Sequence, residues 1–148
     1  EAKDARRLNF GSDVRRERWG RDYLVPVVGG SMRYLIRADG SIPDNTPAVV
    51  YPEDSYFGRV LARTDRPFGT PSLSINPICV TAFSSGTLEL VLKGIGVGWI
   101  PYSMAYREIA AGNVISLANA LGQEDLDVML FADGNSSAAI SLLEFWKT

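Results

Sequence analysis

Short apolar runs alternate along this chain with stretches whose apolar residues recur at helical spacing. "RDYLVPVV" (residues 21–28) predicts a strand closed by Gly29 and Gly30, and "AVVY" (48–51) a buried one ending at Pro52. The opening is polar, with room for a short strand near 8–10, and "MRYLIR" (32–37) fits either an extended or a helical piece. "ADGSIPDNTP" (38–47) is a loop, from its Asp-Gly, its two prolines and its Asp-Asn. Asp54 or Ser55 can cap a helix, "YFGRVLARTDR", with Phe57, Val60 and Leu61 on one face and Pro67, Gly69 and Pro71 beyond its end. "LSINPICVTAF" (73–83) returns to strand, and Pro77 restricts it to a sheet edge or a bulge.

The last part repeats this order. Ser84 or Ser85 can cap "GTLELVLKG", striped by Leu88, Val91 and Leu92, with Gly94 at the C-cap position. "VGWI" (97–100) is a short strand, and Pro101 starts the helix "YSMAYREIAAG", closed by Gly112. "NVISL" and "LDVMLFA" are strands separated by the turn at 122–125, and Asn135 or Ser136 opens an amphipathic helix facing inward with Ile140, Leu143 and Trp146. Strands alternating with single helices predict an α/β fold with mainly parallel sheets.

The glycines Gly94, Gly96 and Gly98 invite a phosphate-binding reading, but the order of elements is against it. A dinucleotide motif leaves a strand and enters a helix, so that the helix N-terminus meets the pyrophosphate. Here a helix ends at Gly94 and a strand follows, and there is no Lys-Ser/Thr phosphate loop. The run is therefore structural: a left-handed cap, then close passage between neighbouring elements.

Composition narrows the chemistry. The 148 residues contain no histidine and one cysteine, so Ser-His-Asp and Cys-His catalysis and transition-metal sites are not expected. No catalytic residue, metal or cofactor is assigned. The formal net charge is -2; the early arginines are interleaved with acids and read as a solvated surface. No apolar run is long enough for a bilayer, no secretion-signal pattern opens the sequence, and the lone Cys79 fits a reducing, cytoplasmic setting as a buried, inert thiol. Trp99 reads as core, and Glu124, Asp125 and Asp127 as surface charge.

The order helix, "VLKGIGVGWIP", helix, "AAGNVISL" resembles the effector-binding domain of LysR-type transcriptional regulators. "DYLVPVV" and "YPEDSYFGRVLAR" are similar to further pieces of that domain, so the resemblance covers about 22–146. "SYFGRVLART" and the closing "FW" are most similar to the hypochlorite-responsive branch. Methionine oxidation belongs to that branch's response, at positions near Phe57 and Gly86, and neither is methionine here.

The resemblance implies a two-subdomain, periplasmic-binding-protein-like (type 2) fold with an effector cleft between subdomains and an incomplete first subdomain. Residues 1–25 and 101–148 would belong to subdomain I and 26–100 to subdomain II. It also implies a non-enzymatic sensor of a small, anionic or polar effector, assembled as a homodimer or tetramer. DNA would be bound only through a helix-turn-helix domain absent from this sequence, and no membrane is involved. The ligand candidates are Ser55, Tyr56, Arg59, Ser84, Ser85 and Thr87, at or near predicted helix N-termini, whose amides suit an anion. The serines and the threonine read equally as plain N-caps, Phe57 as core, and Arg63 as solvated. A periplasmic solute-binding protein and a small α/β enzyme are the alternatives.

Overall fold

The computed structural model describes residues 11–62 and 74–147. The expected strand near 8–10, and Arg63, Pro67, Gly69 and Pro71, lie outside the described residues. The strands are β1 (Val14–Gly29), β2 (Thr46–Val50), β3 (Ile75–Val80), β4 (Val97–Pro101), β5 (Val114–Ser116) and β6 (Glu124–Asp133). The helices are α1 (Tyr56–Leu61), α2 (Ser84–Leu92), α3 (Tyr102–Ala110), α4 (Ala118–Leu121) and α5 (Ser137–Trp146), and a 3-10 turn spans Gly30–Leu35. No described helix is long and apolar enough to cross a membrane.

The chain divides into two compact units. The larger, Tyr23–Glu124, contains five strands in the order β3-β2-β4-β1-β5. Strand β2 runs parallel to β3 and β4, whereas β1 is antiparallel to β4 and β5. The parallel pairing expected from the alternation of elements is thus confined to β2 and its two neighbours. The unit also extends past the expected limit at residue 100. Residues 101–124 belong with it because α3 lies on β4 and β5, with Ala105 and Ile109 in a core shared by Val25, Val27, Val91, Ile100 and Val114.

Two prolines mark where pairing stops. Pro26 lies within β1, and its carbonyl accepts the Leu117 N–H at 2.8 Å. Proline has no N–H to return, so β1–β5 pairing is limited to Val27, Val28 and Gly29. Pro77 occupies the edge strand β3 beside a register shift: Ala48 pairs with Pro77, Val49 pairs with Cys79, and Ile78 is left over. Edge position and irregularity, the two alternatives expected for this proline, occur together. Cys79 is half-buried rather than buried, as its place on an edge strand requires.

The glycine run serves packing. Gly94 has φ +74°, its N–H donates to the Val91 carbonyl, and the Ile95 N–H donates to the Leu90 carbonyl. This is a Schellman cap, and Gly112 closes α3 in the same way, with φ +76°. A Cβ on Gly96 would stand 2.8 Å from the Pro47 carbonyl oxygen, and one on Gly98 would stand 2.7 Å from the Thr87 methyl. Each glycine answers a separate contact.

The smaller unit comprises the described residues up to Asp22 and from Asp125 onward. There β6 pairs with β1, and the Gly134 N–H donates to the Asp13 carbonyl at 2.7 Å. Helix α5 is capped by Ser136, whose hydroxyl accepts the Ala139 N–H, and it buries Leu143. Arg15 pairs with Glu144, Arg18 with Asp127 at 3.0 Å, and Lys147 with Glu17 at 3.0 Å. The hydrogen bond from Lys147, with the charges of Lys147 and Arg15, holds the Glu17 carboxyl below its ordinary range.

Candidate functional site

Strands β2, β3 and β4 run in one direction, so their carboxyl ends share an edge of the sheet. Helices α1, α2 and α3 follow these three strands directly and begin at that edge. In open α/β sheets this edge is where ligands bind, because helix N-termini bring unpaired N–H groups there. The site belongs wholly to the larger unit.

Ser55 caps α1. Its hydroxyl donates to the Pro52 carbonyl at 2.6 Å and accepts the Gly58 N–H at 3.1 Å. The same Pro52 carbonyl accepts the Ser55 N–H, which closes a tight turn into the helix. Tyr56 and Phe57 are half-buried, with ring centroids 5.7 Å apart. Arg59 is exposed and binds the Asp54 carbonyl with its guanidinium.

The start of α2 differs from expectation. Phe83, not Ser84 or Ser85, is the N-cap residue, and it has no capping side chain. The Phe83 N–H is instead taken by the Thr81 hydroxyl at 3.3 Å. The first backbone bond of the helix runs from the Thr87 N–H to the Phe83 carbonyl, so the amides of Ser84, Ser85 and Gly86 precede the helical ladder. Ser85 is exposed. Thr87 is fully buried; its hydroxyl donates back to Phe83 at 3.2 Å and its methyl faces Gly98. Its side chain lies in the packing of α2 on β4 and also hydrogen-bonds with Tyr51.

Tyr51 joins the two groups of candidates and was not nominated from the sequence. It directly follows β2 and is 5% exposed. Its hydroxyl donates to the Trp99 carbonyl at 2.7 Å and lies 3.2 Å from the Ser84 hydroxyl. A phenol has one proton, so with Trp99 as acceptor the Ser84 hydroxyl supplies the second bond. The Tyr51 ring meets Phe57 edge-on at 5.2 Å. One side chain thus touches the start of α1, the start of α2 and strand β4. The usable signal was its position, the first residue past a buried strand. Tyr102 and Ser103 open α3 at the same edge.

Burial raises the Tyr51 phenol above its ordinary range, partly offset by hydrogen bonds with Ser84 and Thr87. The phenol stays protonated through neutral pH. Its contribution to stability is complete below the unfolded value of about 10 and declines as pH rises toward the folded value. Tyr51→Phe should cost about 1–3 kcal/mol, since the Trp99 carbonyl loses its hydroxyl donor. It should also flatten the alkaline fall in stability. Urea denaturation at pH 7 and pH 10.5 measures both; an unchanged pH 7 midpoint would remove Tyr51 from this role.

Among the described residues, no group of three or more His, Cys, Asp or Glu side chains could hold a metal ion. The chemistry on offer is hydroxyls, helix-terminal amides and aromatic rings.

No protein-family model matches the chain, and no curated protein sequence does. Solved structures do match it. The apo regulatory domain of HypT from Salmonella typhimurium aligns with TM-score 0.74 and 20% identity, over 93% of this chain and 65% of that one. The bromide-bound form of that domain aligns with TM-score 0.73 over the same shares. HypT is a hypochlorite-specific LysR-type transcriptional regulator. Full-length LysG from Corynebacterium glutamicum, with bound effector Arg, aligns with TM-score 0.65 and 21% identity, over 96% of this chain and 48% of that one. The chain therefore spans about half to two thirds of these proteins. At such identities the likeness is one of architecture. The chain has the periplasmic-binding-protein-like fold of the regulatory domains of LysR-type transcriptional regulators.

Proposed function

We propose that this chain is the ligand-sensing part of a LysR-type transcription regulator and binds a small anionic or polar effector. The observation that carries this reading is the meeting of the starts of α1 and α2 with strand β4 around Tyr51 at one edge of the sheet. Ser55, Tyr56, Ser84 and Ser85 would contact the effector, with Arg59 as a countercharge at the rim. Thr87 supports the site from within.

The structural neighbours favour the same class of ligand. The HypT regulatory domain holds bromide, an anion, and LysG holds its effector Arg. The role is sensing rather than catalysis, in the cytoplasm and in a homodimeric or tetrameric regulator. DNA recognition would come from a helix-turn-helix domain that is not part of this sequence.

The test is a thermal-shift and calorimetric panel of bromide, inorganic phosphate, acetate and the amino acids. At least one should bind saturably, and a ligand at one hundred times its Kd should stabilise the chain by about 2.7 kcal/mol. Ser55→Ala should weaken that binding while costing only about 1 kcal/mol of stability, and Ser84→Ala should weaken it too. A ligand bound equally well by both variants would place the site elsewhere and overturn the reading.

A further inference from the structure

The hydroxyl protons at the starts of α1 and α2 are assigned by their partners. A carbonyl oxygen can only accept and a backbone N–H can only donate, so each main-chain contact fixes the role of the hydroxyl that meets it. Ser55 lies 2.6 Å from the Pro52 carbonyl and 3.1 Å from the Gly58 nitrogen. Its proton goes to that carbonyl, and one lone pair takes the Gly58 N–H. Tyr51 gives its one proton to the Trp99 carbonyl at 2.7 Å. Toward Ser84, 3.2 Å away, the phenol can then only accept, so the Ser84 proton is spent on it. What Ser55 and Ser84 have left to offer is lone pairs. Donors remain next to them on α2: Ser85 is exposed, and the amides of Ser84 and Ser85 precede the helical ladder.

We infer that the effector is an acid carrying a hydrogen-bond donor beside its anionic group, an amino or hydroxy acid rather than a bare anion. The inference rests on the reading above, that the effector binds at the starts of α1 and α2. A halide or a plain carboxylate against the Ser55 or Ser84 oxygen would set lone pair against lone pair. It would also take water from those oxygens and return no donor, which disfavours binding. An ammonium or hydroxyl group supplies the missing donor. The anionic group turns instead to the Ser85 hydroxyl and the first amides of α2. Tyr51 is the residue that sets this preference without touching the effector. By giving its proton to β4 and taking the one from Ser84, it makes Ser84 an acceptor.

Calorimetry at pH 7 with matched series of acids tests this: propionate, lactate and alanine; succinate, malate and aspartate; 4-methylpentanoate, its 2-hydroxy derivative and leucine. Within each series only the substituent next to a carboxylate changes. In whichever series binds, a substituted member should bind at least about tenfold more tightly than the plain acid. Bromide should bind no better than the plain acid. The tighter of the two substituted members tells hydroxyl from ammonium. Tyr51→Phe gives the sharper result: it releases the Ser84 proton, so the preference should shrink to within about threefold through a gain for the plain acid. Lost folding would weaken every member alike. Should that variant not fold, Ser84→Ala should level the series as well, by a loss for the substituted acids. A plain acid bound by the wild type as tightly as its substituted partners, and weakened by Ser84→Ala, would overturn the inference and leave the site in place. Failure of every probe to bind, or binding untouched by both Ser55→Ala and Ser84→Ala, would remove the site and the inference together.

Discussion

Gly58→Ala should destabilise the larger unit by at least about 2 kcal/mol, although alanine is the better helix former by about 1 kcal/mol. Gly58 lies in the first turn of α1, and its φ is not in the left-handed region. Propensity alone therefore predicts a gain. Contact predicts a loss, and contact wins: the new Cβ would stand 2.0 Å from the Pro52 carbonyl oxygen and 2.9 Å from its carbon. These are backbone atoms, held by the bonds that carbonyl accepts from the Ser55 N–H and hydroxyl. The turn must open, and the Ser55 cap goes with it. Gly86→Ala is the control. It also lies in a first turn, where its Cβ meets only the Thr81 hydroxyl at 3.3 Å, so stability should stay level or rise slightly. Chemical denaturation of both variants measures the difference. A Gly58→Ala protein as stable as Gly86→Ala would mean that the Pro52–Ser55 turn is not formed as described.

Gly98→Val should be severely destabilising. The first atom of any side chain there would stand 2.7 Å from the Thr87 methyl and 2.8 Å from a Val91 methyl. Both neighbours are β-branched and fully buried, so neither has another rotamer readily open to it. Gly98→Ala should cost about 1–3 kcal/mol by overpacking. Valine adds two more carbons, enough to unfold a domain whose net stability is on the order of 5–15 kcal/mol when other strain is present. Thr87→Ser provides the decisive measurement, because it removes the offending methyl and keeps the hydroxyl for the Phe83 carbonyl. The Gly98→Ala, Thr87→Ser double variant should be more stable than the sum of the single effects predicts, by about 0.5–1.5 kcal/mol. Strict additivity would show that α2 does not rest on β4 through this contact.

Much of this architecture was legible because it rests on local chemistry. Gly94 and Gly112 end helices at positions that only glycine adopts easily, and Pro77 could be accommodated only at an edge or a bulge. The first part of β1 was hidden for an equally physical reason. "VRRERWG" shows no apolar alternation, since Arg15, Glu17 and Arg18 form ion pairs with Glu144, Lys147 and Asp127, and Arg15 with Glu17. Residues 101–124 pack with the larger unit, whereas the expected limit was residue 100; α3 shows an apolar stripe without showing which sheet it covers. The site was legible in outline and not in detail. Its helix starts followed from the pattern of elements, but the role of Tyr51 depends on a carbonyl 48 residues away. Thr87 illustrates the converse: the residue type suits a ligand, and its place one turn into α2 turns it toward the core.

The bond from Tyr51 to the Trp99 carbonyl also gives the chain a reporter of its own. Trp99 is buried beside the candidate site, whereas Trp19 and Trp146 are both about half exposed or more. A polar quencher such as acrylamide would extinguish the emission of the two exposed indoles and leave a blue-shifted signal from Trp99. Occupancy at the starts of α1 and α2 could then be followed by light, with no label attached and whatever the chemical identity of the ligand.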